Sequence, residues 1–152
     1  MIGLLQRVSE SSVIVDGETV AEIGHGLLVM IGIEQGDEED QAGRLLKKLL
    51  TYRVFPDKSG RMNCNIQEAG GSMLLVPQFT LVANTSKGNR PGFSNAASPE
   101  LSKLLFEHLA SLGRKSPVPV HKGCFGETME VNLCNEGPVT FWLRVKPKIE
   151  EI

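Results

Sequence analysis

The run from Gly26 to Ile33 (Gly-Leu-Leu-Val-Met-Ile-Gly-Ile) most constrains the fold, because it offers almost no polar side chain to water. A segment this short and this apolar reads as a strand covered on both faces, so it belongs inside a sheet and not at its edge. Before it, Leu4 to Val8 and Ser11 to Val15 read as strands, and Asp16-Gly17 is a two-residue hairpin signal leading into Glu18 to Ile23. After it, Asp37 to Leu50 places acidic residues first, basic residues later, and Ala42, Leu45, Leu46, Leu49 and Leu50 on one helical face. Tyr52 to Phe55 is extended again, and Asp57 to Gly60 is a turn.

Met73 to Leu81 is another apolar strand, interrupted by Pro77, which marks an edge, a bulge or the place where the strand breaks away. Thr85 to Gly92 is polar, rich in turn formers, and reads as a mobile loop. Ser98 caps a second helix with Pro99 at its first position, and Leu101, Leu104, Leu105, Leu109 and Leu112 carry its apolar face to Gly113. Val118 to Val120, Met129 to Leu133 and Val139 to Val145 are the closing strands. The pattern is mixed α/β, about eight strands and two main helices, with the helices covering one face of a mixed sheet with barrel-like curl.

At 152 residues with 41% apolar content, the chain has material for one well-buried core and too little for two ordinary domains. The expected division is a single domain over residues 1–146 and a charged tail over 147–152. A net charge of -2 argues against coating nucleic acid wholesale and leaves room for a local basic patch. Cys64, Cys124 and Cys134 are odd in number and form no CxxC pair, and the N-terminus is not signal-like, so the expected compartment is the cytoplasm. No apolar run approaches the roughly 20 residues that span a bilayer.

Conventional catalysts are scarce. His25, His108 and His121 fall in a turn, a helix and a loop, with no nucleophile elbow beside them. His121 with Cys124 is the best local pair, but its spacing does not by itself activate a thiol, and it is too small for a zinc site. Neither a dinucleotide-binding glycine motif nor a Walker loop is present, so no metal and no cofactor are expected.

Two segments almost sixty residues apart carry the functional signal: Pro77-Gln78-Phe79-Thr80-Leu81 and Asn135-Glu136-Gly137-Pro138-Val139-Thr140. They resemble the S-Q-F-T-L and N-x-G-P-V-T motifs of the D-aminoacyl-tRNA deacylases. Gln6-Arg7-Val8, Val15 to Glu18, Gly26 to Val29, Arg90-Pro91-x-Phe93 and Phe125-Gly126-x-x-Met129 are similar to the same family, in the same order. Pro77 stands where the family has Ser; Gly92 and Cys124 also depart from its usual residues.

The resemblance implies a three-layer α/β/β fold that forms a homodimer, and hydrolysis of the ester joining a D-amino acid to the 3′ end of tRNA. It implies no DNA or membrane partner. That ester is already activated and has a ribose hydroxyl beside it, so positioning and electrostatics can suffice. Main-chain N–H groups around Gln78, Phe79 and Thr80 would hold the carbonyl oxygen, each lowering the barrier by roughly 2.7–4 kcal/mol. The Thr80 hydroxyl as nucleophile is the competing reading.

A wall at the α-carbon would separate the two hands. The residues alone favour a trans bond before Pro138; the resemblance implies a Gly137-cis-Pro138 wall, braced by Arg7, that reaches into the partner subunit's site. Glycine would pass it, and an L side chain would clash. Phe125 and Met129, with Pro77, would line the pocket for the terminal adenosine, and Lys87, Arg90, Arg114, Lys115 and Lys122 are candidate phosphate contacts. Two alternatives stand beside this: an RNA-end-binding homodimer weakened by Pro77, and a hydrolase built on Cys124 and His121.

Overall fold

The computed structural model describes residues 1–149. Strand β1 (Ile2–Val15) turns through Asp16 and Gly17 into β2 (Glu18–Ile23). Both turn residues have positive φ, 50° and 78°, the twist that suits a two-residue hairpin. β3 (Gly26–Gly32) lies antiparallel to the first half of β1, and β2 to its second half. β6 (Ser72–Pro77) runs parallel to β3, and β7 (Val120–Lys122) parallel to β6. β8 (Glu130–Arg144) follows the other side of β1 from Ile14 back to Ile2. β4 (Phe55–Pro56) and β5 (Met62–Cys64) form a separate small pair.

Period-two alternation along β3 divides its side chains between two cores. Leu27, Val29 and Ile31 join Leu5, Met73 and Leu75 beneath helices α1 (Glu39–Thr51) and α2 (Pro99–Arg114), against Leu45, Leu49, Leu105 and Phe106. Leu28, with Leu74 and Val76, points the other way and meets Val8, Val13 and Ile23, with Met129 and Val131 packed alongside. Each of these large side chains contributes about 1.5–3 kcal/mol on burial. β1 serves both cores because its pairing with β8 shifts register between Gln6 and Glu10, where the strand bends. The outcome is helices over a mixed sheet, with the β2–β1–β8 half curled beneath as a third layer.

The expected helices form, bounded by their caps. The Glu38 backbone N–H donates to Gln41 Oε1 at 2.7 Å, and the Ser98 hydroxyl accepts from the Leu101 N–H at 3.2 Å. Four expectations change. The two opening strands are one, as are the two closing strands, because β1 and β8 bulge without breaking. The strand from Met73 ends at Pro77 and passes into a 3-10 turn, Phe79–Val82. The expected strand Val118 to Val120 starts only at Val120. Asp37 precedes α1 instead of opening it: its carboxylate accepts from the Glu34 N–H at 2.7 Å and the Met1 amino group at 2.9 Å. The Thr85 to Gly92 loop is closed at its base by an Asn84–Gly92 bridge. Of the charged tail, residues 150–152 lie outside the described residues.

Glu34 ties the chain ends together, accepting from Arg144 at 2.6 and 3.1 Å and from the Met1 amino group at 2.9 Å. Burial pushes its pKa up, but the Arg144 hydrogen bonds and the Met1 charge outweigh that and leave it below the ordinary value. A carboxylate depressed in this way stabilises the fold above its unfolded pKa, and that stability disappears as pH falls through the folded value. Glu34→Gln should therefore lower the melting temperature near neutral pH and flatten its acid dependence below about pH 4.5. Parallel melts of the two proteins between about pH 7 and pH 3 check this; an unchanged slope would refute it.

Candidate active site

Past the C-terminal ends of the parallel strands β3 and β6 lies a cavity of about 780 Å³. Met30, Val76, Met129 and Val131 give it an apolar lining, Pro77, Gln78 and Phe79 one side, and Phe125 with the following turn another. The first turn of α2, through Pro99 and Ser102, also reaches it. At the mouth Phe79 is 61% exposed, its ring 5.3 Å from that of Phe93.

Pro77 sits where the ladder between β6 and β7 ends. The Gln78 N–H points toward β3 and donates to the Ile31 carbonyl at 2.8 Å, so the preceding backbone nitrogen faces the β7 side. There the last bond of the ladder runs from the Gly123 N–H to the Leu75 carbonyl at 2.8 Å, and the Pro77 ring lies beside Gly123. Proline has no N–H to continue that ladder, and the chain leaves the sheet immediately after it.

Of the three expected donors, one is bound within the sheet and two are not. The Gln78 N–H is already used. Those of Phe79 and Thr80, the first two of the 3-10 turn, donate to no group among the described residues, as expected at a helical start. Two adjacent N–H groups are therefore without a protein acceptor among the described residues, the first of them on a residue that lines the cavity. The Thr80 residue is exposed and does not line the cavity.

Gly137 and Pro138 lie elsewhere. Asn135 pairs with Val8, and Val8 with Gly26, whereas Gln78 bonds to Ile31. Five residues of β3 separate the two places, roughly 17 Å at the ordinary strand rise. The peptide between Gly137 and Pro138 is cis, and both residues are exposed. Gly137 has φ 142°, and a Cβ there would sit 2.7 Å from Val139 Cγ2, so only glycine fits.

Side chains hold this loop from inside. Asn135 accepts from the Val139 N–H at 2.7 Å and donates to the Thr140 hydroxyl at 2.9 Å. Arg7 donates through Nε to the Glu136 carbonyl at 3.0 Å and through Nη1 to the Val54 carbonyl at 2.6 Å. The structure therefore brings Pro77, Gln78, Phe79, Phe125 and Met129 together, and groups Arg7, Gly137 and Pro138 separately.

Cys124 and His121 line a neighbouring groove, not the cavity, and no hydrogen bond joins them among the described residues. That leaves the thiol without the adjacent base that a cysteine nucleophile requires. Among the described residues no three His, Cys, Asp or Glu side chains converge in a metal-binding arrangement, and no helix is long and apolar enough to cross a membrane.

Residues 4–144 match the family described as D-Tyr-tRNA(Tyr) deacylase. The chain belongs to the D-aminoacyl-tRNA deacylases. A D-aminoacyl-tRNA deacylase of Thioalkalivibrio sulfidiphilus is 57% identical over 97% of this chain and 99% of its own. A solved structure described as a c-Myc DNA Unwinding Element Binding Protein superposes with a TM-score of 0.91 at 34% identity, over 97% of this chain and 100% of that one. Another, described as a probable eukaryotic D-amino acid tRNA deacylase, shares the fold, with a TM-score of 0.76 at 17% identity over 93% and 97% of the two chains. As a D-aminoacyl-tRNA deacylase the protein is a hydrolase of ester bonds.

Several cavity residues of this deacylase carry no sequence signal of their own. Met30 and Val76 are ordinary strand residues, and Ser102 lies inside a helix. Phe93 is visible only as part of Arg90-Pro91-x-Phe93, whose place at the mouth depends on long-range packing.

Proposed function

We propose that the chain hydrolyses D-aminoacyl-tRNA in the cytoplasm, binding the terminal adenosine and ester in the cavity beside Phe125 and Met129. The observation that carries this reading is the pair of undonated N–H groups on Phe79, which lines an apolar cavity, and on Thr80, which follows it. Water adds to the ester carbonyl, and the two N–H groups stabilise the oxyanion that develops. As that intermediate collapses, the ribose oxygen leaves with a proton relayed by the neighbouring hydroxyl. Free amino acid and tRNA result, and no side-chain nucleophile takes part.

Selection of hand belongs to a homodimer. In one chain the Gly137-Pro138 segment is far from the cavity, yet it is exposed and internally braced. β8 also shows water Leu133, Phe141 and Trp142, the last 52% exposed, an apolar surface suited to a second copy. The partner's segment then stands against the substrate α-carbon, where D and L exchange hydrogen and side chain. A D side chain or glycine fits, including glycine mischarged on an alanine tRNA; an L side chain meets the wall.

The deciding experiment follows release of tyrosine from D-tyrosyl-tRNA and L-tyrosyl-tRNA, with glycyl-tRNA alongside. D-tyrosine should be released at least about 10²-fold faster than L, a difference of roughly 2.7 kcal/mol in barrier. Equal rates would overturn the wall, and no release of either would overturn the activity.

A further inference from the structure

A second concavity of about 480 Å³ adjoins the cavity and shares Phe125 with it. Its sides are Val20 and Ala21 of β2, the outer stripe of α2 carrying Lys103, Glu107 and Arg114, and the chain from His121 to Phe125. Lys103, Glu107 and Arg114 follow each other at spacings of four and seven, which keeps them on one helical face. Lys122 reaches across from β7 to pair with Glu107. Lys103 and Arg114 are exposed and make no ion pair among the described residues. Three cations against one carboxylate thus line a groove on a chain whose overall charge is -2.

We infer that this groove carries the backbone phosphates of the RNA acceptor end, leading the strand across Phe125 into the cavity. The inference rests on the substrate reading above and adds the path by which that substrate enters. Phe125 is the junction: its ring is set 6.4 Å from Phe106 of the main core, which fixes it between the two concavities. A terminal base in the cavity places the preceding phosphates on the groove side, where Arg114 and Lys103 can meet them without breaking an existing pair. Of the five candidate cations in the sequence, the structure puts Arg114 and Lys122 here, adds Lys103, and leaves Lys87, Arg90 and Lys115 outside.

The test is the double variant Lys103→Gln with Arg114→Gln, neither residue lining the cavity or touching the proposed oxyanion site. Its kcat/KM on D-tyrosyl-tRNA should fall about tenfold or more in low salt, and the slope of log affinity against log salt should flatten by about 1.4, two single-strand phosphates. Hydrolysis of 3′-O-(D-tyrosyl)adenosine, which has no phosphate, should stay within about twofold. Equal loss on both substrates, or an unchanged salt slope, would overturn the groove.

Salt titration of uncharged tRNA binding measures the same slope without turnover. If the native protein hydrolyses neither ester, the substrate reading fails, and the slope alone decides for or against the groove. Loss of affinity for duplex DNA with tRNA binding intact would overturn the assignment to RNA.

Discussion

Arg7→Ala is expected to lower kcat/KM on D-aminoacyl-tRNA by about 10²-fold and to narrow the ratio of D to L hydrolysis. The side chain does not line the cavity; it holds the Glu136 carbonyl with Nε and the Val54 carbonyl with Nη1, clamping the Gly137-Pro138 loop to the chain that follows α1. If that loop is the chiral wall, letting it shift by about 1 Å costs on the order of 10²-fold in rate through lost orientation. The same slack admits L side chains, so the L rate should fall less than the D rate. Arg7→Lys should recover only part of the loss, because one ammonium cannot reach two carbonyls that the guanidinium fork spans.

A merely structural role would lower the melting temperature and scale both hands alike. The discriminating measurement is therefore the D-to-L ratio, taken with a melt. A variant within about threefold of the native enzyme on D substrate, its ratio unchanged, would remove Arg7 from the mechanism. So would parallel losses on both hands.

Local chemistry explains why some parts of this fold are readable from residues alone. Asp16-Gly17 specifies its turn because both positions need positive φ, and Ser98-Pro99 specifies a helix start because its cap and first-turn geometry lie within four residues. β3 is legible as an interior strand because neither face is polar. Continuity is not legible: β1 and β8 each pass through a bulged region whose residues look like loop, and only pairing along their full length keeps them strands. Pro77 signals a break, but which rung of the sheet it ends depends on where β7 lies, and β7 comes more than forty residues later.

The site divides in the same way. Gln78, Phe93, Phe125 and Met129 stand in short motifs and do share one cavity, whereas Met30 and Ser102 enter it through packing that no local pattern encodes. The separation of Gly137-Pro138 from Gln78 is equally hidden, because it follows from the register of β1 between β3 and β8. That distance is also what favours a second subunit: the two halves of the proposed site cannot meet inside one chain.

Phe79→Pro should be the most damaging single change at the cavity, with kcat reduced by about 10²–10³-fold, the scale of losing one oxyanion-hole donor. Proline deletes the N–H of residue 79 and little else of the backbone, because that residue opens the 3-10 turn, where a fixed φ near -65° is already suitable. Gln78 has φ -142° and ψ 87°, outside the helical region that a following proline disfavours. Two controls separate the backbone from the side chains. Phe79→Ala removes the ring against Phe93 but keeps the donor, and Thr80→Val removes the hydroxyl but keeps the other donor. Both should retain kcat within about tenfold, with the Phe79→Ala effect falling mainly on KM. If Phe79→Ala loses as much kcat as Phe79→Pro, the ring and not the main chain is responsible. If Thr80→Val abolishes turnover while the fold melts normally, the hydroxyl is the nucleophile, and the peptide groups of Phe79 and Thr80 lose the role assigned to them.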